Sequence, residues 1–90
     1  MFINKTPSGS NNICGGNVAF YRKNMKISQR QLADELQRLG LDVDKNAIQR
    51  IEAGKRFVTD IEILFLSKAL RVTVAELLQM NDDSDLFTKA

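Results

Sequence analysis

The sequence predicts an all-α fold, a compact bundle of five helices, and three observations carry that prediction. Apolar residues recur at i, i+3, i+4 and i+7 spacing along most of residues 13–80. Three segments have the capping-box form that opens a helix: Ser28-Gln29-Arg30-Gln31, Thr59-Asp60-Ile61-Glu62 and Thr73-Val74-Ala75-Glu76. Alternation with period two occurs only in Arg71-Val72-Thr73-Val74, which is too short to anchor a sheet and reads better as a link between helices.

The elements follow in order. Residues 1–12 are rich in Asn, Ser and Gly, hold the single proline and have no apolar period, so they read as a flexible arm. Val18, Tyr21, Arg22 and Met25 share one face of a first helix over 15–25. The Ser28 box starts a second helix over 29–39, with Leu32, Ala33, Leu36 and Leu39 inward, and Gly40 is its C-terminal cap. Leu41-Asp42-Val43 is a short connector folding back on the core, and Asp44 caps a third helix over 45–53 that ends at Gly54. The fourth helix spans 60–70 with Ile61, Leu64, Phe65, Ala69 and Leu70 inward, and a short fifth spans 74–80 with Leu77 and Leu78 inward. The domain is therefore expected over 13–80, followed by a C-terminal tail over 81–90 that contains Leu86 and Phe87.

Composition removes several classes of function. The 90 residues are 43% hydrophobic and 27% charged, an ordinary globular balance. A domain of this size buries only about 60% of its unfolded surface, so function is expected on the surface rather than in a deep cavity. Cys14 is alone and histidine is absent, which excludes an intrachain disulfide, a Cys/His zinc site and a Ser-His-Asp triad. Cys14 reads as a small semi-buried hydrophobe or an idle thiol, and a lone thiol fits a reducing cytoplasm. No apolar run reaches the roughly 20 residues of a bilayer span. The polar start, MFINKTPSGSNN, does not have the apolar stretch of a secretory signal. Asp34/Glu35 and Asp82/Asp83 could bind a hard cation, but neighbours on a helix point apart and tail acids are solvated, so neither an enzyme nor a cofactor is expected.

Charge is divided along the chain. Residues 1–56 hold ten lysines and arginines against five acids, a net +5, whereas residues 57–90 hold three against six, a net −3. Such asymmetry within one domain suits a basic face for a polyanion with an acidic face turned away, though scattered surface charge would give the same sums.

The third helix concentrates the chemistry. At 100° per residue Ala47, Ile48 and Ile51 lie on one side, while Lys45, Asn46, Gln49 and Arg50 lie on the other. A helix fills the major groove of DNA; Lys and Arg match guanine O6/N7 there, and Asn and Gln match adenine N6/N7. Any exposed amphipathic helix would show a polar face, so its neighbours matter. Ser28, Gln29 and the free amides at the start of the second helix stand beside Arg30, as a phosphate-binding helix N-terminus requires. Lys55 and Arg56 follow Gly54 and can meet the backbone on the far side of the groove.

Arg22, Ser28-Gln29, Leu32-Ala33, Ile48, Ile51-Glu52, Gly54-Lys55-Arg56 and the segment from Leu64 to Leu78 together resemble the phage-repressor-type helix-turn-helix domain, the lambda-repressor-like or Xre family. The resemblance runs from about Asn17 to Leu78. It implies a five-helix DNA-binding domain whose third helix enters the major groove, usually as a homodimer on a two-fold operator. Carried over by position, Lys45, Asn46 and Arg50, with Gln49 beside them, match base-reading positions. Ser28 and Gln29 match the phosphate-binding helix start, and Lys55 and Arg56 the basic loop. Arg22 and Glu52 match an internal salt bridge between the first and third helices; the other reading makes Arg22 a phosphate ligand and Glu52 a solvated acid. One departure is visible: the stretch between Leu32-Ala33 and Ile48 is several residues longer than the shortest family pattern, which alters the turn and the docking angle. It leaves Arg38 as either an extra phosphate contact or a surface charge.

The resulting expectation is a cytoplasmic, sequence-specific regulator of transcription, a repressor acting on double-stranded DNA as a homodimer by occupancy. With no sensor domain after the helix-turn-helix, control would come from a protein partner, from concentration or from the tail. The same face would serve the antitoxin of a toxin–antitoxin pair. A protein-interaction module without DNA binding would instead carry acids or bulky apolar residues on the third helix. Leu77, Leu78, Leu86 and Phe87 are candidates for the dimer surface, although a monomer core explains the first two equally well.

Overall fold

Local hydrogen bonding sets the helix boundaries. The computed structural model describes residues 5–6 and 9–79, and within them five helices: α1 (Gly15–Asn24), α2 (Gln29–Leu39), α3 (Lys45–Glu52), α4 (Asp60–Leu70) and α5 (Val74–Leu77). The described residues contain no strand. All three capping boxes close: Ser28, Thr59 and Thr73 each accept from the amide three residues on, while Gln31, Glu62 and Glu76 return their side chains to the cap backbone. Asp44 caps α3 by accepting from Ala47 N–H at 2.8 Å. Gly40 ends α2 at φ 108°, a left-handed conformation that costs glycine little, and Leu41 N–H returns to the Leu36 carbonyl at 2.9 Å.

The core is drawn from all five helices. Val18, Leu32, Leu36, Ile48, Ile51, Leu66 and Leu77 are fully enclosed, and Val43 folds in from the connector. Helix α2 packs on α3 and α4, and α1 packs on α3, α4 and α5. Two amphipathic stripes, Leu32/Ala33/Leu36 and Ile48/Ile51, thus meet and hold α3 with its opposite face outward.

Several expectations are corrected. Ile61 and Leu64, placed inward on α4, are 61% and 58% exposed, and Leu66 occupies the core instead. The run Ile61-Glu62-Ile63-Leu64-Phe65-Leu66 is apolar almost all round, so periodicity does not choose its face; packing does. Helix α5 stops at Leu77, with Leu78 at its C-cap and partly exposed, so Leu77 belongs to the monomer core and not to a dimer surface. Met25 is the C-cap of α1 and partly exposed. Asn11 and Asn12, expected within a flexible arm, are hydrogen-bonded to the end of α3 and the segment after it. Leu86, Phe87, Asp82 and Asp83 lie outside the described residues.

Candidate nucleic-acid interface

Helix α3 presents its polar side fully. Lys45, Asn46, Gln49 and Arg50 are exposed, and none of their side chains forms a hydrogen bond or ion pair among the described residues. Ile48 and Ile51, on the other side, are buried to within 1% and fix the helix rotation. Four long or amide side chains are therefore offered outward across two turns, with their donors unengaged.

A polar joint ties this helix to the start of α2. Arg22 from α1 meets Glu52 side-on, Nε to Oε2 at 2.7 Å and Nη2 to Oε1 at 3.1 Å. The two side chains are only 11% and 8% exposed. The third guanidinium nitrogen, Nη1, donates to the Ile27 carbonyl at 2.9 Å, and Gln29 Nε2 donates to Glu52 Oε1 at 3.0 Å. The hydrogen bond to Glu52 raises the Arg22 pKa, so the guanidinium stays charged. Within the Ser28 box the cap N–H and hydroxyl are both occupied, while the amides of Gln29 and Arg30, in the first turn, have no helical acceptor. Arg30 is exposed beside them.

The loop after α3 separates its two cations. Gly54 turns the chain at φ 74° and Lys55 is exposed, with its side chain in no ion pair among the described residues. Arg56 is half-buried and donates twice to Glu62, Nη1 to Oε1 at 3.0 Å and Nη2 to Oε2 at 2.8 Å, and also to the Phe57 carbonyl at 3.1 Å. The Arg56 hydrogen bond holds the Glu62 carboxyl below the usual range, with the Thr59 amide adding to it. Arg38 pairs with Glu35 on the exposed side of α2.

Residues that sequence reasoning missed hold this loop from behind. Asn12 Nδ2 donates to the carbonyls of Ile51 at 3.0 Å and Arg56 at 2.7 Å, and its Oδ1 accepts from Gly15 N–H at 2.8 Å. Asn11 donates through its backbone N–H to the Gly54 carbonyl at 2.8 Å and through Nδ2 to the Lys55 carbonyl at 3.0 Å. Only the Asn12-to-Gly15 bond has a local signal, an Asx residue three ahead of a helical amide.

Two helices joined by a turn, the second displaying a donor face unengaged among the described residues and braced by a largely buried ion pair, define a helix-turn-helix DNA-binding domain. The sequence model of the helix-turn-helix family matches residues 18–77, two-thirds of the chain, and the protein belongs to that family, in its lambda-repressor-like form. Two solved structures are similar. The restriction-modification controller protein C.AhdI from Aeromonas hydrophila is 28% identical, with 70% of this chain and 84% of that one covered and a TM-score of 0.62. The P22 c2 repressor protein, solved in complex with synthetic operator 9T in the presence of Tl+, is 27% identical, with 78% and 98% covered and a TM-score of 0.65. No curated protein sequence matches the chain.

Proposed function

We propose that the protein is a sequence-specific repressor that binds double-stranded DNA as a homodimer, with α3 in the major groove. The observation that carries this reading is the α3 face itself: Lys45, Asn46, Gln49 and Arg50 stand exposed, without side-chain partners among the described residues, on a helix locked by Arg22, Glu52 and Gln29. In this reading those four side chains read bases, and Arg50 and Lys45 favour guanine. Gln29 and Arg30 meet a phosphate through their first-turn amides and the Arg30 charge, with Ser28 holding that helix start through its capping box, and Lys55 meets one across the groove. Arg56 we assign to the loop's own structure, because its guanidinium is taken up by Glu62. The similarity to a repressor solved on an operator supports the DNA partner.

The homodimer is supported by large apolar side chains that stand exposed among the described residues. Phe57, Ile61 and Leu64 are each more than half exposed, with Ile61 and Leu64 one turn apart on α4. Two copies would present their α3 helices to half-sites about 34 Å apart. Repression then follows from occupancy of the operator.

Selection from a randomised duplex pool by the purified protein near physiological salt tests the proposal. Recovery of a two-fold motif supports it. Absence of enrichment by folded protein would instead favour a module that contacts a protein partner.

A further inference from the structure

We infer that Asn11 and Asn12 are positioning residues for DNA binding: they clamp the loop that follows α3 and thereby hold Lys55 in its phosphate-contacting place. The inference rests on the DNA-binding reading of α3. Four carbonyls, that of Ile51 near the end of α3 and the three successive ones of Gly54, Lys55 and Arg56 in the loop, accept from Asn11 or Asn12 across 39 to 44 residues of sequence. A trans peptide is planar with its N–H opposed to its C=O, so drawing the Lys55 and Arg56 carbonyls toward the asparagines turns the amides of Arg56 and Phe57 the other way. Lys55 therefore sits between two peptide groups whose directions are fixed from behind, beside amides that have no acceptor among the described residues.

The approach is close enough to be a fitted joint. A methyl group on Gly15 would lie 2.1 Å from the Ile51 carbonyl oxygen, and one on Gly54 would lie 2.8 Å from Ser10 Oγ. A loop held in this way does not have to be ordered when DNA arrives, so its cation is delivered without that entropic cost. Asn12 Oδ1 also accepts from the Gly15 N–H at the start of α1, a bond separate from the two that hold the loop.

Asn12→Ser separates the two roles, since a serine hydroxyl can still accept from Gly15 N–H but cannot donate to two carbonyls. Titration of a random-sequence duplex over a salt series, with wild type, Asn12→Ser, Lys55→Ala and the double variant, gives the test. The expected result is that Asn12→Ser and Lys55→Ala each weaken binding about tenfold at low salt and each lower the salt slope by about one. The double variant should bind no worse than Lys55→Ala. Wild-type affinity and slope in Asn12→Ser, additive losses in the double variant, or no effect of Lys55→Ala would each overturn the inference. If the folded wild type binds no duplex, the DNA-binding reading itself fails. Should Asn12→Ser not fold, Asn11→Ala, which removes only the side-chain bond to the Lys55 carbonyl, takes its place with the same expected slope change and the same overturning results.

Discussion

Arg22 and Glu52, thirty residues apart, form a two-point ion pair that also gathers the Ile27 carbonyl and the Gln29 amide, so one carboxylate fixes the end of α3 against the start of α2. Glu52→Gln keeps the shape and removes the charge that faces a nearly buried guanidinium. The expected loss is about 1–3 kcal/mol, read as a fall in Tm of roughly 4–8 °C for each kcal/mol in a domain of this size. An unchanged Tm would mean that the pair contributes nothing beyond its geometry.

Arg50→Ala tests base reading. If Arg50 contacts a guanine, the selected operator should lose about 1–3 kcal/mol of affinity while random duplex loses far less. Equal losses on both would reduce Arg50 to a phosphate contact. The comparison is most informative at fixed salt, because the phosphate contribution moves with ionic strength.

The Arg56–Glu62 pair gives a pH dependence with a definite sign. Arg56, and then the Thr59 amide, depress the Glu62 pKa in the folded state relative to the unfolded value of about 4.3. A depressed carboxylate pKa contributes stability above the unfolded value, and that contribution is lost as pH falls through the folded one. Wild-type Tm should therefore decline below about pH 4 more steeply than that of Glu62→Gln. Parallel profiles would show that Glu62 is not the group responsible.

Two glycines at the start of α1 should respond in opposite directions. Gly16→Ala meets nothing within 4 Å and replaces a poor helix former, so it should stabilise by about 0.4–1 kcal/mol. Gly15→Ala drives a methyl group into the Ile51 carbonyl and should cost about 1–3 kcal/mol despite the same gain in propensity. Thermal melts of the two variants measure both, and a stabilised Gly15→Ala would show that α1 can lift from α3 at little cost.

What the sequence made legible was what is local. A capping box is written within four residues, so the starts of α2, α4 and α5 read directly from Ser28, Thr59 and Thr73. The α3 face was legible because polar and apolar residues separate cleanly at helical spacing. The face of α4 was not, because Ile61, Ile63, Leu64, Phe65 and Leu66 leave no polar stripe to mark the outside. Pairings between distant residues carry no local signal. The Arg22–Glu52 pairing came only through family resemblance, and the grips of Gln29 on Glu52 and of Asn11 and Asn12 on the loop emerged only once α1 lay against α3. Arg56 looked like a second loop cation because its partner, Glu62, belongs to the next helix.

Cys14 is 1% exposed beside this same joint, and burial pushes its thiol up to about 11. Burial therefore disfavours the reactive thiolate at neutral pH. The sulfur is thus covered and held as the thiol in the folded domain. With one cysteine in the chain, the rate at which a thiol reagent consumes the protein would report how readily this buried position is uncovered, free of any engineered label.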